Sequence, residues 1–135
     1  KKTNIKKLTQ ALKEAFEESI QEATAQLDAD IKDGSPVDSG RFRASWFRLQ
    51  GTTNPGTAVA EEPPQGQTVP APPVTQPGEG DPKQDQVIFN ALPYSNRLCT
   101  SGWSKQVPED WFTVIGDRWE SGKYLDEALK SRGIK

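Results

Sequence analysis

The stretch SPVDSGRFRASW, residues 35–46, decides how the chain leaves its first element and enters the next. Pro36 fixes φ, Asp38 can accept hydrogen bonds from neighbouring backbone N–H groups, and Gly40 can adopt a positive φ. These three residues together predict a rigid turn between a helix and a strand. Cations and large apolar side chains alternate after the turn, a mixture typical of a segment that is half core and half contact surface.

A strand after this turn would separate the two kinds of side chain, because successive residues of a strand point to opposite faces. One face would hold Phe42, Ala44 and Trp46. The other would hold Arg41, Arg43 and Ser45. We expect the first face to close the core and the cations, with Arg48, to meet a partner subunit. For each arginine, pairing with Asp38 or with solvent is the alternative.

Upstream of the turn, residues 3–33 predict one long amphipathic helix. Its apolar side chains recur every three or four residues, at Ile5, Leu8, Leu12, Phe16, Ile20, Ala23, Leu27 and Ile31. This spacing forms one narrow stripe, and Gly34 followed by Pro36 ends the helix. Such a helix fits across a sheet. In the alternative, part of it also packs on another subunit.

Residues 51–85 form a segment rich in proline and glycine, with almost no large apolar side chain. This composition predicts neither a helix nor a central strand. The segment is acidic, and Glu61 and Glu62 are its interface candidates. We expect either a solvated loop or an extended arm that orders against the cations of a neighbouring subunit, since polyproline conformation loses little entropy on ordering.

The chain returns to order at residue 86. QVIFN, residues 86–90, predicts a short strand, and the segment from 91 to 104 predicts a strand end and turn, broken by Pro93 and Gly102. Aromatic side chains are expected to fix this turn, and cations to be carried by it. The aromatic pair is Tyr94 and Trp103, and the cations are Arg97 and Lys105.

A second helix is predicted to begin near Pro108 and to run to the end of the chain. Gly116 and Gly122 leave two alternatives open, a break in the helix or an initial strand at residues 111–116. The predicted fold is therefore α+β, a single domain over 1–135. A long N-terminal helix and a C-terminal helix pack on a small antiparallel sheet, and the proline-rich insertion lies between strands.

Composition narrows the possible chemistry. The chain has 135 residues, no histidine, one cysteine and a net charge of −2, so it lacks the commonest general base and a global basic field. Cys99 stands beside Arg97, which could lower its pKa, but a structural thiol is favoured. Asp28, Asp30 and Asp33 could suggest a cation site, yet a solvated acidic helix end is the simpler interpretation. We expect a non-enzyme without cofactor or metal.

Two stretches together resemble the HK97 gp10-like family of tailed-phage proteins. SPVDSGRFRASW is similar to the family element T-P-V-D-T-G-x-L-R-x-S. NALPYSNRLCTSGWSKQVPEDWF, residues 90–112, is similar to the later element N-x-L-P-Y-A-x-x-L-E-x-G-x-S-x-Q-A-P-x-G-M. The chain departs from these patterns at CTSG and at VPEDW, and its insertion at 55–82 is longer than the usual hairpin.

The resemblance implies a structural virion protein that forms a ring at the phage head–tail junction, in a neck, tail-completion or tail-terminator role. Its partners would be copies of itself, connector or portal-side proteins, and tail-tube or terminator proteins. Genomic DNA would only pass through the channel, no membrane would be involved, and assembly would take place in the host cytoplasm. No apolar run approaches transmembrane length.

A nucleic-acid-binding module is the alternative function. Aromatic side chains beside cations suit single strands, and this site would consist of Arg41, Arg43, Arg48 and Trp46. The negative net charge counts against it.

Overall fold

A computed structural model describes residues 5–74, 80–100 and 103–133. Along these residues the elements follow in the order α1 (Ile5–Gly34), α2 (Arg41–Ala44), β1 (Trp46–Gln50), β2 (Gln86–Asn90), α3 (Ser95–Thr100), α4 (Trp111–Glu120) and α5 (Lys123–Ser131). The predicted mixture of helices and a small antiparallel sheet, with a long N-terminal helix, is confirmed. None of the helices described is long and apolar enough to cross a membrane.

The sheet consists of β1 and β2 in antiparallel pairing, with Trp46 opposite Asn90 and Gln50 opposite Gln86. The strand predicted at QVIFN is therefore confirmed. The chain between the strands, residues 51–85, is called the connection below. Its described residues, 51–74 and 80–85, contain no helix or strand.

The strand predicted directly after the turn is wrong for its first residues. Residues 41–44 form a short helix instead, closed by a hydrogen bond of 2.9 Å from the Ala44 N–H to the Gly40 carbonyl, and β1 begins only at Trp46. Gly40 has φ 86°, the left-handed conformation that allows the chain to reverse and start this turn. The expected positive φ is thus confirmed, while the alternation of faces is not.

The helical turn changes which side chains are buried. Phe42 and Trp46 belong to the core, as predicted, although Phe42 lies in α2 and Trp46 is the first residue of β1. Ser45, predicted on the outward face, is fully buried and its Oγ donates to the Arg41 carbonyl at 2.6 Å. The polar face predicted for Arg41, Arg43 and Ser45 therefore does not exist as a unit.

The segment predicted as a strand end and turn contains a helix, α3. Pro93 lies just before it, where a fixed φ and a missing N–H suit a helix start. Gly102 lies outside the described residues. Residues 111–116 are helical, so the alternative strand there is wrong, and the alternative break falls at Gly122, which has φ 78° between α4 and α5.

The core lies where α1 ends and the two motif stretches meet. Its buried residues are Ile31, Phe42, Trp46, Leu92, Cys99 and Trp111. Helix α1 packs chiefly against α5 and α4, and not across the sheet as predicted. Two five-residue strands span about 17 Å, whereas thirty helical residues span about 45 Å, so the sheet is too small to support α1.

Candidate subunit interface

The two motif stretches are far apart in sequence and form one unit in the fold. The Asn90 side-chain amide donates to the Phe42 carbonyl at 2.9 Å. The Gln106 side chain accepts from the Val37 N–H at 2.8 Å and donates to the Val37 carbonyl at 2.7 Å. These paired bonds fix the later stretch against the turn that follows α1.

Aromatic rings complete this unit. The Phe42 ring meets the rings of Trp46 and Trp111 edge-on, with centroid distances of 5.7 and 6.3 Å. Both indole N–H groups have acceptors, Ser35 Oγ at 2.9 Å for Trp46 and the Leu98 carbonyl at 2.8 Å for Trp111. Buried tryptophans require such partners, so the geometry is specific.

A shallow pocket of about 290 Å³ opens where the two stretches meet. The motif residues predicted from sequence that line it are Pro36, Asp38, Gly40, Phe42, Tyr94 and Trp103. A Cβ on Gly40 would lie 2.5 Å from the Val69 carbonyl oxygen, so this position needs glycine for space as well as for φ. Asp38 is exposed, and it is the Ser39 hydroxyl that accepts from the backbone N–H of Arg41, at 3.3 Å.

The arginines predicted at a partner interface bond within their own chain. Arg41 Nε donates to the Ala60 carbonyl at 2.9 Å, and Arg43 Nη2 lies 3.5 Å from the Val69 carbonyl. Arg48 Nε donates to Gln86 Oε1 across the sheet at 2.7 Å. The first two arginines therefore hold the connection against the domain.

Further bonds hold both described parts of the connection to the rest of the chain. The Ala60 N–H donates to the buried Ser45 hydroxyl at 3.0 Å, and the Gln21 side chain donates to the Gly80 carbonyl at 2.7 Å. Glu61 and Glu62 lie exposed on its outer side. The described connection is thus bonded to its own domain at these points, and Glu61 and Glu62 are among the residues that it exposes.

The candidates of the second stretch gather around Trp103. Its ring meets Tyr94 edge-on at 6.2 Å, and the Arg97 guanidinium lies 5.6 Å from the ring centroid. Trp103 is 55% exposed, and Lys105 is exposed beside it. The two aromatic side chains that were predicted to fix the turn contact each other, but Trp103 is not buried as that prediction assumed.

The residues of the alternative nucleic-acid site do not form a stacking surface. Trp46 is 5% exposed, and its ring stacks on Phe112 with a centroid distance of 5.6 Å. A base could reach this ring only if the core opened.

The acidic end of α1 is solvated only at Asp33, which is exposed as the sequence suggested. Asp28 is 1% exposed, and its Oδ2 accepts from Lys32 Nζ at 2.8 Å, while Nζ also donates to the Pro73 carbonyl. Asp30 accepts from the Tyr124 hydroxyl at 2.6 Å. Burial and this bond raise the pKa of Tyr124. Among the described residues, no three carboxylate or thiol groups come together as a metal site.

Cys99 is an unreactive core thiol. Burial raises its pKa from 9.0 to about 11, so the thiolate is scarce near neutral pH. The suggestion that Arg97 lowers this pKa is wrong, because burial dominates.

A scan of protein-family models, a search of curated proteins and a search of solved structures all find no match to this chain. The resemblance to the HK97 gp10-like family therefore rests on the two quoted stretches.

The apolar period of α1 does not show which part of its stripe is covered. The first four apolar positions stay open, with Ile5 78%, Leu8 57%, Leu12 54% and Phe16 47% exposed. Below, residues 5–16 are called the outer half of α1 and residues 20–31 the packed half. Charge is the signal that separates them, because Lys6, Lys7 and Lys13 precede the first acid, Glu14, whereas acids dominate the rest of the helix.

Proposed function

We propose that this protein is a structural subunit of a tailed-phage virion, which forms a ring at the head–tail junction around the DNA channel. The main support is the outer half of α1, where four large apolar side chains are each at least 47% exposed. Exposed apolar patches of this kind mark interaction sites in proteins that otherwise bury such groups. A subunit of a ring completes its burial against its neighbours.

The packed unit of the two motif stretches supports the same proposal. These stretches carry the family resemblance, and residues 37 and 106 bond each other although 69 positions separate them. The unit is held together by aromatic contacts and backbone bonds, a construction suited to a rigid part that positions surfaces. In this role the protein acts by assembly: it joins connector to tail, and it needs no bound cofactor to do so.

Purified particles of the phage that encodes the chain provide the test. We expect mass spectrometry to detect the protein in intact virions, and electron cryo-microscopy to place it as a symmetric ring between head and tail. Absence from washed particles, or a location away from the junction, would overturn the proposal.

A nucleic-acid role would produce a different result. A strongly salt-dependent affinity of the isolated chain for oligonucleotides would favour that role, since phosphate contacts release counterions. We expect no such affinity, because the proposed stacking residue Trp46 is buried.

A further inference from the structure

An apolar groove runs beside the packed half of α1. Its volume is about 480 Å³, and β2 and α4 form its other walls. The large apolar residues that line it include Ile20, Leu27, Ile31, Val87, Ile115 and Trp119. Asp85 is the charged residue in its lining. The groove therefore offers an apolar floor that the subunit's own side chains do not fill.

We propose that the outer half of α1 docks into this groove on a second copy of the chain, head to tail. The proposal names the contact that would close the ring, and to that extent it rests on the proposed function. It is carried by two surfaces of one chain that are both apolar, both open and matched in length and charge.

The occupant must come from another copy because of the helix itself. Residues 5–16 and 20–31 belong to one uninterrupted α-helix, Ile5–Gly34. A continuous helix cannot fold back, so the outer half cannot reach the groove beside its own packed half. Each subunit thus offers one donor surface, the outer half of α1, and one acceptor surface, the groove.

The two surfaces agree in length. The outer stripe runs from Ile5 to Phe16, and the groove follows α1 from Ile20 to Ile31. Each interval covers eleven residue steps, which is about 16 Å of helix at 1.5 Å per residue. One helical segment of this length can therefore lie along the whole groove.

The charges are complementary as well. The outer half carries Lys6, Lys7 and Lys13 beside its stripe. The groove has Asp85 in its wall, and Asp117 and Glu120 are exposed on α4 next to lining residues. The cations beside the lining are Lys83, which is exposed, and Arg118, which pairs with Asp30 and Glu127, so the rim is acidic on balance. Opposite charges at the rim of an apolar contact favour the correct partner and register.

A head-to-tail contact has a structural consequence. Because the donor and acceptor surfaces differ, the contact is heterologous, and repetition gives a closed ring when the rotation between subunits closes. A reciprocal antiparallel pair of α1 helices would instead stop at two subunits. The mass of the assembly distinguishes these arrangements.

Complementary variants test the contact. Leu12→Asp disrupts the donor surface and leaves the groove intact. Trp119→Glu disrupts the groove and leaves the donor surface intact. Both side chains are substantially exposed, so the fold should survive either substitution. Val114→Asp is the matched control, since Val114 is exposed on α4 outside the groove lining. Circular dichroism confirms folding, and light scattering after size exclusion gives the mass.

We expect the wild-type chain and Val114→Asp to form an assembly of more than two subunits, and each of the other variants alone to be monomeric. An equimolar mixture of Leu12→Asp and Trp119→Glu should give a heterodimer, because one intact donor and one intact groove remain. Leu8→Asp serves as a second donor variant and should behave as Leu12→Asp does.

Three results would overturn the inference: a wild-type chain that stays monomeric at all concentrations or stops at two subunits, donor variants that keep the wild-type mass, or a mixture that stays monomeric. The proposed function fails separately. Association as predicted with no protein in purified particles would remove the virion role and leave the contact. If virions that carry Leu12→Asp still form a normal ring at the junction, the virion role would stand and the proposed contact would be wrong.

Discussion

The outer and packed halves of α1 follow the same rule in sequence and differ in the fold. Both place an apolar side chain every three or four residues. In the packed half, Ala23 is 1% and Ile31 is 5% exposed, whereas in the outer half Ile5 is 78% exposed. One continuous stripe thus covers a core at one end and extends beyond the domain at the other.

The difference shows that an apolar period identifies the face of a helix that is suited to burial, but not what covers that face. Helices α4 and α5 and the core beneath them account for the packed half. An isolated helical segment of about twelve residues is marginal in water, so the outer half needs either the continuing helix or a partner to stabilise it. Mutations that compare equivalent residues in the two halves can break or sharpen this contrast.

The largest effect is expected at Trp46, which links the core to the end of the packed half. Its indole N–H donates to Ser35, and the Ser35 hydroxyl donates to the Ile31 carbonyl at 2.7 Å. Trp46→Ala should lower the free energy of unfolding by about 3–5 kcal/mol. Phe16→Ala, the aromatic control in the outer half, should change it by less than about 1 kcal/mol in the monomer.

Urea titration of both variants at low protein concentration measures this pair. Similar losses for the two substitutions would mean that the outer half is as well packed as the core. A nearly unchanged stability of Trp46→Ala would contradict the position of this ring in the fold.

A smaller effect is expected from two lysine–carboxylate pairs, each four residues apart on α1. The pair Asp28–Lys32, at the end of the packed half, is buried and 2.8 Å apart, and the pair Lys13–Glu17, at the end of the outer half, is open to solvent and 4.0 Å apart. Lys32→Met leaves a buried carboxylate without its cation and should cost about 3 kcal/mol. Lys13→Met should cost no more than about 0.5 kcal/mol.

Thermal unfolding of the two methionine variants, at low and at high salt, gives the comparison. The account requires the large loss at residue 32 to persist in high salt, because burial protects that pair from screening. Equal, salt-sensitive losses would show that both pairs are surface pairs.

The smallest expected effect is a change in the free energy of unfolding with pH, caused by Cys99 in the core that the packed half covers. The pKa of Cys99 is raised from 9.0 to about 11 by burial. The unfolded chain therefore ionises first, so the contribution of this thiol is complete below pH 9 and is lost as pH rises toward 11. We expect a loss of about 1–3 kcal/mol over this interval, relative to Cys99→Ala, which has no thiol to ionise.

Parallel pH titrations of stability for the wild type and Cys99→Ala provide the measurement. The difference between the two curves removes the contribution of every other group that titrates there. Curves that run parallel from pH 9 to 11 would mean that water reaches Cys99 in the folded state.

Strong local signals made part of this fold predictable. The apolar period and Gly34 predicted α1 as far as its end, while residues 3 and 4 of that prediction lie outside the described residues. QVIFN predicted β2, and the positive φ of Gly40 followed from its place in the turn. Each of these depends on neighbouring residues, so a single sequence contains the necessary information.

The errors have a common physical cause, which is tertiary context. In residues 41–44, alternating apolar and charged side chains imitated a strand, but the turn at Gly40 and the buried Ser45 favour one helical turn. The groove was missed because its walls come from α1, β2 and α4, which no local pattern relates. The connection was expected to be either a solvated loop or an arm ordered against a neighbouring subunit, yet its backbone carbonyls supply partners for Arg41 and Lys32 of its own chain.

The most direct test of the contrast is amide hydrogen exchange on separated monomer and assembly fractions. We expect residues 20–31 to be protected in both fractions, because their burial is internal to the subunit. Residues 5–16 should exchange rapidly in the monomer and become protected in the assembly, where the groove of a neighbour covers them. Rapid exchange of residues 5–16 in both fractions, or equal protection in both, would contradict the account.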